Sequence, residues 1–103
     1  MDFIFEVIDK SGRRIRLTKE RWRHIQNHPY MHNHLESIQL TLQKPATIRY
    51  DEDESVLYFY REFKENESRE KYLLVAVKYL NGDGFIITSF FTNKITGLKW
   101  KTK

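Results

Sequence analysis

Hydrophobic and polar residues alternate near the start of the chain and throughout its second half, which is the pattern of β-strands with one buried face. Near the start, the alternating runs DFIFEV and RRIRLT flank DKSG, whose residues favour a turn. After Pro45, four further runs are rich in β-branched and aromatic residues: ATIRY, VLYFYREF, KYLLVAVKYL and GFIITSFFT. The sequence therefore predicts a hairpin first and a series of antiparallel strands later.

The segment that follows the predicted hairpin has the features of a helix. Thr18 is a typical N-cap residue, and Glu20 lies in the first turn, where the helix dipole favours an acid. We expect this helix to run to about Asn27, because Pro29 disfavours helical geometry at the residue before it. His28 is therefore predicted to lie at the helix end, released from the helix.

A second helix is predicted from Asn33 to just before Pro45, with Glu36 placed three residues after its start as in a capping box. Its apolar side chains recur at helical spacing: Leu35, Ile38 and Leu42. Trp22 in the first helix is expected to be a core residue that packs on the sheet. The predicted fold class is α+β, as a single domain over residues 1–103: an N-terminal β-hairpin, two helices and then a four-stranded antiparallel β-meander.

The segment NGDG between the last two predicted strands is a strong hairpin signal. If all four residues form the turn, Leu80 lies opposite Phe85. In that register the two faces carry different polar side chains: Thr88 and Thr92 on one, Lys78 and Ser89 on the other. Tyr58 and Tyr60 share a face of an earlier strand, where they either stack on bases or pack in the protein.

Charge is distributed unevenly along this chain, whose net charge is +4. Residues 1–50 carry 9 Lys or Arg against 5 Asp or Glu, and residues 71–103 carry 6 against 1. Residues 51–70 carry 3 against 8, and seven of these eight acids fall in two predicted turns, YDEDES and KENESRE. The basic remainder suits a surface that binds a polyanion, or equally a solvated surface with a basic tail.

Composition excludes several classes of protein. The chain has no cysteine, which rules out disulfides and thiolate zinc sites. No apolar run is long enough to span a membrane, and the opening residues MDFIFEVIDK do not look like a signal peptide. We therefore expect a soluble, cytoplasmic protein that has no membrane partner.

All four histidines of the chain lie in the first predicted helix and the turn after it: His24, His28, His32 and His34. A His-x3-His pair on a helix is common in zinc sites, but it needs a third ligand, and no acid lies at a suitable spacing. Surface histidines without a role are a second interpretation. Acid/base chemistry is the third and is favoured, because histidine exchanges protons near neutral pH.

The chain has no glycine-rich phosphate loop, no serine nucleophile elbow and no glycosidase-like carboxylate pair. Cleavage of RNA through its 2′-hydroxyl needs no cofactor and no metal, only a base, an acid and groups that stabilise the charged phosphorane. A metal-independent ribonuclease is therefore the favoured hypothesis. The alternatives are a non-catalytic RNA-binding module and a degenerate nuclease fold that docks a protein through the DEDES segment.

Five segments, spanning roughly residues 15–93, together carry a family pattern: LTKERWRHIQNHPYM, IQLTLQKPATI, YFYREF, KYLLVAVKY and GFIITSFFT. The chain resembles the phage-associated barnase–EndoU–colicin–RelE-like nucleases, which have the BECR fold. The resemblance implies a helix-plus-sheet fold and metal-independent RNA cleavage by toxins or effector domains, without a cofactor. It implies RNA as a partner, with tRNA as one candidate, and a cognate antitoxin or immunity protein. Ser89 departs from the family pattern, in which a small apolar residue is common there.

The same resemblance implies which residues form the site. The implied catalytic residues are His24, His28, Lys71 and Thr88, and the implied substrate-binding residues are Arg21, Tyr60 and Thr92, with no metal ligand. The carboxyl end of a helix favours the protonated form of a nearby histidine. This argument favours His28 as the general acid and His24 as the base, and the reverse assignment stays open.

Overall fold

The computed structural model describes residues 3–100, which form two helices and seven strands. In chain order the elements are β1 (Phe3–Ile8), β2 (Arg14–Thr18), α1 (Lys19–Ile25), α2 (Leu35–Gln43), β3 (Thr47–Tyr50), β4 (Val56–Glu62), β5 (Tyr72–Leu80), β6 (Asp83–Thr92) and β7 (Leu98–Lys99). Within residues 3–100, neither helix has the length and apolar character needed to cross a membrane.

All seven strands belong to one mixed sheet in the order β1-β2-β6-β5-β4-β3-β7. The predicted α+β class, the N-terminal hairpin and the antiparallel order of β3 to β6 are confirmed. The predicted strand count and the wholly antiparallel arrangement are wrong. β2 pairs in parallel with β6, and β7 adds a further antiparallel strand beside β3, so the hairpin extends the same sheet.

Gly84 explains why β2 can lie against β6. It pairs with Ile15 at the parallel junction. A Cβ atom at this position would overlap the Ile15 side chain and lie 2.9 Å from both Tyr79 and Val77. Because glycine has no side chain, it leaves the space into which Ile15 packs. The alternation of hydrophobic and polar residues within β6 does not predict this contact.

The turn between β5 and β6 is tighter than predicted. It consists of Asn81 and Gly82, both with positive φ (54° and 86°), the conformation that Asn-Gly favours in two-residue hairpins. Leu80 therefore pairs with Asp83 instead of Phe85, and an irregularity between the Ala76 and Val77 pairs shifts the register again.

The corrected register moves the hydroxyl groups of β6. Thr88 lies opposite Ala76 and shares a face with Lys78, whereas Ser89 lies opposite Val75 on the buried face. The Ser89 hydroxyl donates to the Leu74 carbonyl oxygen at 2.7 Å, which satisfies it inside the core. The predicted grouping of Lys78 with Ser89 is therefore wrong, while Thr88 and Thr92 do share a face.

The helices cover one face of the sheet. α2 packs on β5 and β4, and α1 packs on β6. Ile25 is the fully buried residue of α1. Trp22, which was predicted to be a core residue, packs against the core but is only partly buried. α2 begins one residue later than predicted, with His34 instead of Asn33 as its N-cap.

We call the other side of the strands the outer face. Its residues alternate with the core residues along each strand and pair across neighbouring strands: Arg16, Arg49, Tyr58, Tyr60, Tyr72, Leu74, Ala76, Lys78, Phe85, Thr88, Phe90 and Thr92. Aromatic rings, hydroxyls and cations dominate this set. Tyr60, Leu74 and Ala76 are nevertheless buried, so the accessible groups of the outer face come from the other residues of this set.

Candidate active site

His28 lies just beyond the end of α1 and reaches the strand β6. The N–H of His28 donates to the Ile25 carbonyl oxygen at 2.9 Å, which turns the chain out of the helix. Its Nε2 atom lies 3.2 Å from the Thr88 hydroxyl oxygen, and its ring centroid lies 5.4 Å from that of Phe90. β2 pairs with β6 only at Gly84 and Phe85. At Thr88 and Phe90 no β2 residue pairs with β6, so His28 contacts that strand directly.

His24 accompanies His28 at the end of α1. The two ring centroids are 6.0 Å apart, and the rings are nearly perpendicular at 88°. Since α1 ends at Ile25, His24 lies in its last turn and His28 lies beyond it. The helix dipole acts within the last turn, so the electrostatic reason for assigning the acid to His28 no longer holds. The structure brings both histidines and Thr88 together without deciding their roles.

Arg21 begins the row on α1 that continues to His24. Its backbone N–H donates to the hydroxyl oxygen of Thr18 at 3.2 Å, which confirms the predicted N-cap. Arg21 lines a cavity of about 460 Å³ whose other walls include Arg16, Lys78 and Phe85. Three cations and an aromatic ring therefore line one cavity on the outer face.

Lys71 has no recorded contact with the histidines among residues 3–100. It is exposed at the start of β5, and its ammonium group lies 3.7 Å from the Glu62 carboxylate. Tyr72 and then Glu62 raise the pKa of Lys71 above its ordinary value. Lys71 is therefore suited to act as a fixed positive charge, and it lines a different cavity from His28.

Thr92 and Tyr60 also lie away from His28. Thr92 ends β6, four residues or roughly 13 Å along the strand from Thr88. Its hydroxyl oxygen accepts a hydrogen bond from the N–H of Lys94 at 3.2 Å. Tyr60 is only 3% exposed, and its hydroxyl oxygen accepts from the N–H of Thr96. Burial of this ring leaves no face free for stacking on a base, whereas Tyr58 on the same face is half-buried.

The remaining histidines occupy different surroundings. His32 is exposed, and His34 packs on the opposite face of β6, with its ring centroid 4.9 Å from that of Phe91. Burial lowers the pKa of His34, and the nearby Glu67 opposes this shift. No group of three or more His, Asp or Glu side chains in residues 3–100 is arranged to hold a metal ion.

A cavity of about 400 Å³ opens beside His28. Its walls are residues of the loop after α1, the loop before β5 and the end of β6: His28, Pro29, Tyr30, Ser68, Glu70, Phe90 and Phe91. Among these, the sequence prediction included only His28. Phe90 could have been found from the two-residue spacing that places it beside Thr88. Tyr30 and Glu70 could not, because only the fold brings their loops together.

Comparison with known proteins supplies one family. No curated protein and no solved structure matches the chain. The family described as phage-Barnase-EndoU-ColicinE5/D-RelE like nuclease2 matches residues 5–102, nearly the whole chain. The predicted resemblance is confirmed, and the chain belongs to this family of nuclease-like domains.

Proposed function

We propose that this protein is a small ribonuclease of the toxin type that cuts RNA without a metal ion. The observation that carries the proposal is the His28–Thr88 hydrogen bond, with His24 beside it at the end of α1. Two imidazoles and a hydroxyl are sufficient for acid/base cleavage of RNA. Family membership supports a nuclease, and the two histidines give it a metal-independent mechanism.

In the proposed reaction, one histidine removes the proton of the ribose 2′-hydroxyl. The 2′-oxygen then attacks the adjacent phosphorus, and the bond from phosphorus to the 5′-oxygen breaks. The second histidine donates a proton to that leaving oxygen. The products are a 2′,3′-cyclic phosphate and a 5′-hydroxyl. Thr88 holds the His28 ring through the hydrogen bond at Nε2, and because its hydroxyl can donate or accept, the bond suits either tautomer.

The outer face offers a path for the RNA toward these histidines. Arg21, Arg16 and Lys78 line one cavity with Phe85, which supplies cations for phosphates and a ring for stacking on a base. Arg16 is already bonded to Glu6 at 2.8 Å, and Lys78 to Ser55 at 2.7 Å. Within residues 3–100, the Arg21 side chain has no such partner, so of these three cations it is the one most available to a phosphate.

The test is incubation of the full chain with total RNA and with a defined tRNA, with and without EDTA, followed by mapping of the ends. We expect cleavage that survives EDTA and leaves 2′,3′-cyclic phosphates. DNA, and RNA with a 2′-deoxy sugar at the cut position, should resist. RNA that shifts on a gel but stays intact would indicate a binding module. Loss of activity with EDTA and rescue by zinc would support metal chemistry instead.

A further inference from the structure

The cavity beside His28 combines aromatic walls with one carboxylate. Phe90 contacts the His28 ring, and Tyr30, 46% exposed, lies on the loop across from it. Glu70 lines the same cavity and lies in a different loop. A concave site with apolar walls and a few polar groups is the usual form of a small-ligand site. This one adjoins the residues that we propose cut RNA.

The backbone on both sides of this cavity is held in unusual conformations. Within residues 3–100, three non-glycine residues have positive φ, and two of them, Tyr30 and Arg69, belong to the two loops that form the cavity. Such conformations persist only where the surrounding structure enforces them, and they are concentrated at functional sites. Both walls are therefore fixed at some cost in stability.

Hydrogen bonds from Asn66 hold the second wall in place. Its side-chain amide donates to the carbonyl oxygens of Phe63 and Glu70, both at 2.8 Å. Its carbonyl oxygen accepts from the Ser68 N–H at 2.9 Å and from the Ser68 hydroxyl. The loop thus presents Glu70 from a constrained backbone, which is the preorganisation that selective binding requires.

Glu70 is unusual because of where its charge lies. It lines the cavity beside His28 and also a second cavity, whose walls include Lys64, Arg69 and Lys71. Among residues 3–100, the hydrogen bonds recorded for Glu70 are those of its backbone, with Asn66 and Ser68. A carboxylate beside a bound phosphodiester repels the RNA backbone. Toward a ligand in the cavity beside His28, the carboxylate offers hydrogen-bond acceptors and no donor, so it favours a ligand group that presents donors.

The four RNA bases differ in what they offer to a carboxylate. Guanine presents two adjacent donors, N1–H and the N2 amino group, which match the two oxygens of one carboxylate. Adenine and cytosine present one amino group beside an acceptor, and uracil presents one N–H between two acceptors. We infer that this cavity holds a guanine next to the cleaved phosphodiester, between Tyr30 and Phe90, with Glu70 reading its Watson–Crick edge. This inference rests on the proposed function, and it adds a sequence preference to it.

The test measures binding separately from cleavage. Each of the four nucleosides, as 3′- and 5′-monophosphates, is titrated into the full chain by calorimetry, and cut positions in a defined RNA are mapped in parallel. We expect guanosine nucleotides to bind roughly 10-fold more tightly than the other three, and cuts to adjoin guanines. Glu70→Gln should abolish that preference, because the amide has only one oxygen acceptor.

Two further variants separate base reading from other effects. Glu65→Gln removes the same charge from the same loop outside the cavity, and it should keep the preference. Asparagine tolerates the positive φ of residue 30 and lacks the tyrosine ring. Tyr30→Asn should therefore lower the affinity for all four nucleotides by a similar factor, roughly 10-fold.

Equal affinity for all bases, or a preference that survives Glu70→Gln, would overturn the inference. A preference lost equally in Glu65→Gln would also overturn it. Guanosine binding that depends on Glu70 in a protein that leaves RNA intact would support the pocket and refute the ribonuclease.

Discussion

Two histidines pack against neighbouring phenylalanines of β6, on opposite faces of the strand. His28 contacts Phe90 and hydrogen-bonds Thr88 of the same strand, and it lines an open cavity. His34 contacts Phe91, and its Nδ1 atom lies 3.1 Å from the hydroxyl of Ser37 in the first turn of α2. Strand alternation places one ring toward solvent and the other toward the core.

Both histidines have ring contacts with β6, so these contacts alone do not distinguish the histidine that we propose to be catalytic. His34 bonds within its own helix end, and burial lowers its pKa, so its contacts stabilise the junction between α2 and the sheet. His28 is joined across 60 residues to a hydroxyl on the outer face and has a second histidine 6.0 Å away. We therefore expect mutations at the two positions to affect different measurements.

The largest expected effect is on the rate of cleavage in His28→Ala. If His28 transfers a proton in the rate-limiting step, the rate should fall on the order of 10²–10⁴-fold. Its melting temperature should stay near that of the wild type, since His28 lies in a loop outside the buried core. RNA affinity should persist, because phosphate contacts come from Arg and Lys. The measurement is single-turnover cleavage of a defined RNA, with thermal melting alongside.

His34→Ala is the matched control for that experiment, and it should cleave RNA at the wild-type rate per folded molecule. Equal losses of rate in both variants would remove the distinction between the two histidines. A fully active His28→Ala would show that the proton transfer is made elsewhere.

A smaller effect is expected from the hydroxyl that holds His28. Thr88→Val keeps the shape of the side chain and removes one hydrogen bond, so kcat should fall by roughly 10-fold while KM changes little. Thr88→Ser should keep most of the rate, because it keeps the hydroxyl. Cleavage by Thr88→Val at the wild-type rate would show that the bond to Nε2 does not position the ring.

On the other side of β6, His34→Ala should lower the free energy of unfolding by about 1–2 kcal/mol. It removes the ring contact with Phe91 and the hydrogen bond with Ser37, and each is worth about 1 kcal/mol. Urea denaturation measures this change. An unchanged unfolding free energy would mean that His34 is a surface residue like His32, which is exposed and serves as the control.

Local patterns in the sequence were sufficient for both helices and for six of the seven strands in residues 3–100, whereas β7 was not predicted. Thr18 caps α1 as its residue type predicts, Pro29 follows the helix end, and the four strands after Pro45 form in order. Each of these follows from interactions within a few residues. The pairing of β2 with β6 was not predictable in this way, because it depends on the space left by Gly84 some 70 residues away along the chain.

The residues of the candidate site likewise fall into those that the sequence predicted and those that only the fold brings together. Spacing placed His24 near His28, and the family resemblance added Thr88, which the fold does bring to His28. Lys71 and Tyr60 were named from the resemblance, and the structure places them elsewhere, in an ion pair and in a buried position. Glu70 was missed because no local pattern distinguishes it from the other acids in its turn.

The smallest expected effect is a pH dependence of stability that comes from His34. Burial holds the pKa of His34 below its ordinary value of 6.5, so the unfolded chain takes up this proton at a higher pH than the folded chain does. Stability therefore falls as pH decreases through 6.5, until the folded state is protonated as well. Other groups titrate in the same range, so the quantity to compare is the unfolding free energy of the wild type minus that of His34→Ala. That difference should shrink between pH 7.5 and pH 5.5 in urea denaturation. A difference that grows over this range would mean that the pKa of His34 is raised, with the attraction of Glu67 outweighing burial.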